Sequence, residues 1–324
     1  MLINLNWRFC KGAIFVGQSF YTVDVFTDRL FSGAQIAVFP EAESLSEQSM
    51  QVIAEELNLS ETVFILPSRS NAEDFYLRIF SPREELHFAG HPVLAAAKVL
   101  HHLDKLPNRE GLGECIFGMT SRPVSVRVKP NADTQLIQFA VEVAPIIERF
   151  VPEDTELAAL LSLPPQALDV KAYSPRLVAC DQPYLIVPVR HQELLNTARF
   201  DGAAWSQSSA PSTLAQEILL FTPKTGHAQA NFAARLMGPL IGQSEDPPIG
   251  SALPAFAAYL ADHRDLPAGT HTFCIVRGQA PKRESVILVE LDKKVGKTLQ
   301  VRLGGAAVLA SQGELYFPSQ ATAA

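Results

Sequence analysis

The sequence predicts an α+β fold made of two similar domains, and three observations support this. Residues 84–103 and 244–263 repeat one pattern, in which acidic residues lead into a glycine and then into an alanine-rich apolar run with the spacing of a buried helix; an arginine, Arg78 or Arg235, stands upstream of each. Segments with strand character outnumber those with helix character. Both alanine-rich runs are apolar nearly all round, so each predicted helix must be enclosed by its own domain.

The composition supports two hydrophobic cores and argues against several classes of protein. The chain has 324 residues, of which 47% are hydrophobic and 19% are charged, which is enough for two domains. Its net charge is −7 and it has no basic run, so nucleic-acid binding is not expected. The four cysteines show no CxxC spacing, which argues against a zinc ribbon and against a disulfide framework.

Residues 1–18 are predicted to form an N-terminal extension outside both domains. The segment is mildly apolar, but Arg8 and Lys11 interrupt it, so it has no uninterrupted apolar core and no clear small-residue cleavage site. We interpret it as a non-essential extension on a cytoplasmic protein that does not bind membranes.

The first domain is predicted to open with two strands and a helix. Alternating apolar and polar residues, rich in β-branched and aromatic types, predict a strand over 19–27, and a proline ends a second strand over 34–40. Apolar residues recur at helical spacing over 44–57, and Ser44 with Glu47 has the form of a capping box.

Short strands and one alanine-rich helix complete the first domain. The helix is predicted over 92–102, with Pro92 near its start, where proline is favoured. The strands are predicted over 62–66, 75–80, 115–119, 122–129 and 135–143.

The second domain is predicted to contain a helix over 153–162 and a second alanine-rich helix within 244–263. Its strands are predicted over 184–189, 217–223, 271–276, 285–291 and 298–303. Residues 306–317 are predicted to form a final hairpin.

The two repeats predict a binding cleft between the domains. Gly90-His91 and Gly250-Ser251 open the two alanine-rich helices, whose first turns expose unpaired backbone N–H groups and the positive end of a dipole. Two such helix starts that face each other across a cleft would hold a carboxylate. We therefore expect the function to reside in this cleft.

Glu61 is the first candidate for acid/base chemistry. It lies on the short link between a predicted helix and a predicted buried strand, where desolvation raises the pKa of a carboxyl toward neutrality. The alternative is a surface glutamate that caps a turn.

His91 and Asp246 are the next candidates, and each has a structural alternative. His91 opens a helix at the predicted cleft, so its backbone N–H and its imidazole can both reach a substrate carboxylate, although a lone histidine also serves as a structural residue. Asp246 precedes the other helix, where an acidic residue stabilises the helix dipole without any further role.

A metal site is not predicted. His87 and His91 are four residues apart with Glu84 and Glu85 nearby, and this spacing binds zinc only when both histidines lie on one helix face. His91 starts the predicted helix, whereas His87 precedes it. The sequence also has no glycine-rich phosphate loop and no GxSxG elbow.

Four ordered segments resemble the signatures of the phenazine-biosynthesis PhzF-like family. They are VDVFTDRLFSGAQIAVF (23–39), NLSETVF (58–64), LRIFSPREELHFAGHPVLAAA (77–97) and EDPPIGSA (245–252). The resemblance implies a diaminopimelate-epimerase-like fold, in which two pseudo-symmetric domains each wrap a curved, mostly antiparallel sheet round a central helix. The implied domains are 19–143 and 144–312, with 313–318 returning to the first domain.

The resemblance also implies roles for particular residues. Glu61 matches the acid/base glutamate of the family, and His91 and Asp246 match residues that flank the substrate. The substrate-binding residues implied are Gly90, Gly250, Ser251 and Gln35.

Two segments depart from the family pattern. Pro248 and Ile249 replace the usual alanine and threonine before the glycine, and Ala34 replaces a common asparagine. The loss of these polar groups favours a substrate that is larger or less polar than the phenazine precursor, or a protein that has drifted toward binding alone.

The best-known racemases of this fold use two cysteines, one at each helix start, as paired bases. The equivalent positions in this chain are Ala89 and Ile249, whose side chains cannot transfer a proton. The sequence therefore disfavours two-base cysteine racemisation or epimerisation, although the fold permits it.

Together these features predict a metal- and cofactor-independent isomerase that moves a proton on a small unsaturated or cyclic carboxylic acid. The alternative is a non-catalytic small-acid binding or protein-interaction module on the same fold. We expect a small-molecule carboxylate as the partner, without nucleic acid, membrane or cofactor, in a cytoplasmic protein for which a homodimer is one candidate assembly.

Overall fold

The structure, a computed structural model, describes residues 15–87, 90–109, 112–131, 134–180, 182–239, 248–263, 266–278, 283–294 and 298–318. Among the described residues of the first half, nine strands are present: β1 (Phe15–Val25), β2 (Ala34–Phe39), β3 (Glu61–Pro67), β4 (Phe75–Phe80), β5 (Glu85–Leu86), β6 (Asn108–Arg109), β7 (Leu112–Gly118), β8 (Val124–Asn131) and β9 (Thr134–Val143). Its helices are α1 (Glu47–Leu57) and α2 (Gly90–His102).

The described part of the second half also contains nine strands. They are β10 (Ile146–Glu148), β11 (Arg176–Ala179), β12 (Pro183–Pro188), β13 (Glu217–Thr222), β14 (Phe232–Met237), β15 (Gly269–Arg277), β16 (Ser285–Lys293), β17 (Leu299–Gly305) and β18 (Ala307–Pro318). The helices are α3 (Asp154–Leu160), α4 (Gln192–Thr197), α5 (Gly202–Gln207) and α6 (Leu253–His263), and 3₁₀ turns lie at Pro165–Ala167, Ala210–Ser212 and Gly250–Ala252. No helix within the described ranges is long and apolar enough to cross a membrane.

The two halves repeat one order of strand pairing. In the first, β1 is antiparallel to β2, β2 parallel to β3, β3 antiparallel to β4, β4 parallel to β7, and β7, β8 and β9 follow antiparallel. The same sequence of orientations runs from β11 through β12, β13, β14, β15 and β16 to β17. This shared order shows that the halves are pseudo-symmetric, as predicted.

Each half encloses one helix that has almost no polar face. The α2 residues from Gly90 to Ala97 are all buried, and so are the α6 residues from Leu253 to Ala261. Because alanine side chains are small, the surrounding strands approach each helix axis closely, and the strands curl round the helix rather than cover one side of it. The α+β class with a central helix in each half is confirmed.

Two strand pairings join the halves. β9 is antiparallel to β17, with Phe139 opposite Leu303, and the last strand, β18, returns to pair along the whole of β1, from Phe15 opposite Pro318 to Val25 opposite Ala307. The predicted boundary between residues 143 and 144 falls in the link between β9 and β10, and as a domain boundary it stays a prediction.

Two local predictions are wrong. Residues 307–318 form one strand rather than a hairpin, because Gly313 lies opposite Phe20, and the Phe20 ring fills the space where a side chain at position 313 would stand. Helix α1 is capped by Ser46, whose side chain accepts a hydrogen bond from the backbone N–H of Ser49 over 3.1 Å, rather than by Ser44. Some elements are too short to show a periodicity from which they could be predicted. They are β10, β11, β14, α4 and α5.

We expect Gly304→Ala to destabilise the junction between the halves. A methyl group at this position would lie 2.4 Å from the backbone oxygen of Ile137 and 2.4 Å from Cγ of Gln138 on β9, and a strand backbone cannot yield without loss of ladder hydrogen bonds. The free energy of unfolding should fall by about 1–3 kcal/mol, as measured by chemical denaturation. The control is Gly226→Ala, where no atom lies within 4 Å of the added methyl group; equal stability losses in the two variants would contradict the close packing of β9 on β17.

Candidate active site

Glu61 is the first residue of β3 and points toward the enclosed helix α2. The chain leaves α1 through Asn58, a left-handed residue with φ 48°, and enters β3, which lies parallel to β2 with Ile36 opposite Glu61. Paired residues in a parallel ladder share a face of the sheet, and Ile36 belongs to the core around α2. The sequence therefore delivers a carboxylate to the inner face of the sheet.

His91 meets this carboxylate from the start of α2. Its Nε2 lies 2.9 Å from Oε2 of Glu61, and the side chains of the two residues are only 5% and 14% exposed. A buried carboxylate needs a hydrogen-bond or charge partner, and His91 supplies both when protonated. Two of the predicted catalytic residues are thus in direct contact.

The pKa of Glu61 lies below its ordinary value. Burial acts to raise it, but the positive charge of His91, the hydrogen bond from His91 and a hydrogen bond from Ser60 together lower it by more. The sequence predicts a raised pKa from desolvation alone, and that prediction is wrong because His91 lies in contact. Glu61 is therefore ionised near neutral pH, in the form in which a carboxylate accepts a proton.

Two glycines let the helix starts come together at this pair. Gly90 is the first residue of α2, and a methyl group at this position would lie 2.4 Å from Cζ of Phe139. Gly250 opens the 3₁₀ turn that leads into α6, and a methyl group there would lie 3.1 Å from Nδ1 of His91. Because both residues lack side chains, the positive ends of two helical segments converge beside Glu61.

The His91 ring is held on several sides. The centre of the Phe26 ring lies 6.2 Å from the centre of the imidazole, with the two planes at 34°. Nδ1 is buried and has no hydrogen-bond partner among the residues that the structure describes. Glu61 at Nε2, Gly250 at Nδ1 and Phe26 beside the ring thus define the surroundings of the imidazole.

Three further residues are predicted from the sequence to belong to the site: Ser251, Gln35 and Asp246. Ser251 is exposed and follows Gly250 directly. Gln35 pairs with Asp24 and neighbours Ile36 in β2, so the alternation of the strand puts its side chain on the face opposite to Glu61. Asp246 lies outside the described residues. The roles of these three residues, like the catalytic roles of Glu61 and His91, stay predictions.

Three residues near the Glu61–His91 contact are not identified from the sequence as site residues. Ser60 contributes to the lowered pKa of Glu61, and its hydroxyl donates to the backbone oxygen of Gln35 over 3.4 Å. Its position directly before the glutamate in the NLSET segment is the signal that could have indicated it. Phe26 and Phe139 lie within apolar strand-like segments, where nothing distinguishes an aromatic residue beside the site from one in the core.

Comparisons with known proteins find relatives over most of the chain. The family model described as phenazine biosynthesis-like protein matches residues 23–313. A protein of Mesorhizobium japonicum named an uncharacterised isomerase is 30% identical over 302 residues, which are 92% of this chain and 99% of the relative. A trans-2,3-dihydro-3-hydroxyanthranilate isomerase of Pseudomonas chlororaphis is 28% identical over 299 residues, 90% of this chain and 97% of that protein.

Solved structures show the same fold. A phenazine biosynthesis protein of the PhzF family from Bacillus anthracis aligns with a TM-score of 0.83 at 21% identity, over 93% of this chain and 99% of that one. A hydroxyproline epimerase from Agrobacterium vitis aligns with a TM-score of 0.60 at 9% identity, over 94% of this chain and 93% of that one. The epimerase-like fold class is confirmed, and the relatives named isomerases support an isomerase. With a family model matching from the first strand to the last, the chain belongs to the phenazine biosynthesis-like, or PhzC-PhzF, family.

Proposed function

We propose that the protein is a cofactor-independent isomerase that moves a proton on a small unsaturated or cyclic carboxylic acid. The observation that carries the proposal is the contact of 2.9 Å between Glu61 and buried His91 beside two helix starts. A carboxylate held ionised in a largely buried site is a base, and the convergent helix starts favour an anion next to it.

The proposed reaction needs only one group that transfers a proton. Glu61 takes a proton from a carbon atom next to the conjugated system, so the C–H bond breaks and its electron pair enters that system. The protonated Glu61 then gives a proton to another carbon, which restores a neutral carbon skeleton and the starting carboxylate. His91 holds Glu61 by its hydrogen bond, and the helix starts at Gly90 and Gly250 stabilise the negative charge of the intermediate.

The relatives and the local sequence guide the choice of substrate. One relative is named for trans-2,3-dihydro-3-hydroxyanthranilate, a cyclic unsaturated carboxylic acid, and this compound is the first to test. Ile249 is fully buried and Ala34 is almost so, and both stand where a family member commonly has a polar residue. We therefore propose that less polar carboxylic acids are better substrates, with Asp246 positioning a hydroxyl or amine.

Glu61→Gln should abolish turnover and leave the fold intact. Glutamine keeps the size and a hydrogen-bonding group but cannot take a proton, so kcat should fall by ~100-fold or more, measured on the test compound and on a panel of small cyclic acids. The matched control is Glu56→Gln, an exposed glutamate on α1, which should keep wild-type turnover. A Glu61→Gln variant with wild-type turnover would remove Glu61 from the acid/base role.

Solvent deuterium should separate an enzyme from a binding module. If Glu61 exchanges its proton with solvent between removal and return, turnover in deuterium oxide places deuterium at the newly protonated carbon, as seen by NMR of the product. If Glu61 is shielded and returns the same proton, a substrate deuterated at the departing position should instead show a primary isotope effect. Saturable binding with no exchange, no isotope effect and no product across the panel would favour the non-catalytic binding module.

The Glu61–His91 contact should make stability depend on pH in the acid range. The folded pKa of Glu61 is lower than its unfolded value, so its contribution to stability is present above the unfolded pKa and is lost as pH falls through the folded pKa. The difference in Tm between wild type and Glu61→Gln should therefore shift against wild type as the pH falls below 4.5, the ordinary pKa of a glutamate. A Tm difference that stays constant over this range would show that His91 does not lower the pKa of Glu61.

A further inference from the structure

We infer that Phe26 is a positioning residue that holds the His91 imidazole in line with the Glu61 carboxylate. The inference rests on the proposed function, in which Glu61 transfers the proton and His91 holds it. Phe26 touches neither the substrate nor Glu61 in this account. It acts on the reaction through the orientation of one ring.

The backbone of Phe26 is in a conformation that a phenylalanine rarely adopts. Its φ is 64°, and a bulky residue in the left-handed region is strained and persists only where the surroundings enforce it. Such strain is concentrated at functional sites. The left-handed turn directs the Phe26 ring out of the β1 ladder and toward the start of α2.

Two hydrogen bonds from the second half of the chain enforce this conformation. The backbone oxygen of Phe26 accepts a bond of 2.8 Å from the N–H of Val286 on β16. The N–H of the next residue, Thr27, donates a bond of 3.1 Å to the oxygen of Ala306, between β17 and β18. Phe26 belongs to the first half by sequence, but the second half holds the peptide group between Phe26 and Thr27 through both its carbonyl oxygen and its N–H.

The ring of Phe26 is wedged between His91 and β17. It is buried, with 2% of the residue exposed, and its centre lies 6.2 Å from that of the imidazole. On β17 it packs on Gly305 so closely that a methyl group at position 305 would lie 2.9 Å from Cδ1 of Phe26. Packing on Gly305 and burial thus limit the movement of the ring away from the imidazole.

This packing matters because α2 fixes only the backbone of His91. The imidazole still turns about its two side-chain torsions, and the hydrogen bond to Glu61 weakens steeply when the ring turns away from it. The Phe26 ring, which lies beside the imidazole, restricts that rotation. Gly250 lies next to Nδ1 and restricts it as well. Since the backbone of Phe26 is hydrogen-bonded to Val286 on β16, the orientation of His91 depends on the position of the second half.

The test uses two variants of Phe26 and one matched control in the full chain. Phe26→Leu and Phe26→Met remove the ring but keep apolar volume and a side chain at the same strained φ. The control is Phe39→Leu, which removes a fully buried ring that stacks with Phe20 and Phe64 on the other face of the sheet, away from His91. If the three variants lose similar amounts of stability, then a change seen at His91 only in the Phe26 variants cannot be attributed to general destabilisation.

The first measurement is NMR of protein labelled with ¹⁵N-histidine, with His91 assigned by the signal lost in His91→Gln. We expect both Phe26 variants to move the ring-nitrogen resonances of His91, while Phe39→Leu leaves them at the wild-type positions. In the turnover assay the Phe26 variants should lose kcat by ~10- to 100-fold with little change in KM, as for a misplaced catalytic group.

Unchanged His91 resonances in folded Phe26 variants would overturn the inference, whatever their turnover. If both Phe26 variants failed to fold while Phe39→Leu folded, the ring would be a requirement of the fold, and the positioning role would be rejected. If the resonances move as expected but wild type converts no compound, the proposed function fails and the control of His91 by Phe26 stands.

Discussion

The structure depends on the need to cover two helices that have no polar face. A helix that is apolar all round cannot lie on a flat sheet with one side in water, so the strands around α2 and around α6 curl until each helix is enclosed. Only the ends of the helices then remain accessible, and the first turn is where backbone N–H groups lack partners. The place of the candidate site therefore follows from the enclosure, because the two helix starts are where polar groups can reach the interior.

Because the two halves repeat one strand order, equivalent glutamates on β3 and β13 can be compared in different surroundings. Register places Glu217 at the position in β13 that Glu61 has in β3, counted from the strand pairs that contain Arg235 and Arg78. Burial raises the pKa of Glu217, whereas the pKa of Glu61 is lowered. The residue after the helix-start glycine is His91 in one half and Ser251 in the other. The charge and hydrogen bond of His91, with a smaller contribution from Ser60, outweigh the effect of burial on the Glu61 carboxyl.

The main features of the fold and the centre of the site could be predicted, and the failures have physical causes. Glu61, His91, Gly90 and Gly250 lie in short contiguous motifs, so the sequence itself brings them to attention. The pKa of Glu61 is set by a partner that is distant in sequence, and desolvation alone gives the wrong direction. Phe26 could not be identified because its role depends on a left-handed φ and on bonds from β16, and neither leaves a mark in an apolar strand pattern.

The pairing of β18 with β1 has a consequence for how the protein folds during its synthesis. Synthesis proceeds from the N-terminus, so all the other strands of the first half leave the ribosome before the strand that covers the outer edge of β1 exists. An uncovered strand edge is open to pairing with other chains, and pairing between the two ends of a chain is slow to form. The edge of β1 that β18 covers in the folded protein thus stays unpaired until the second half has been synthesised.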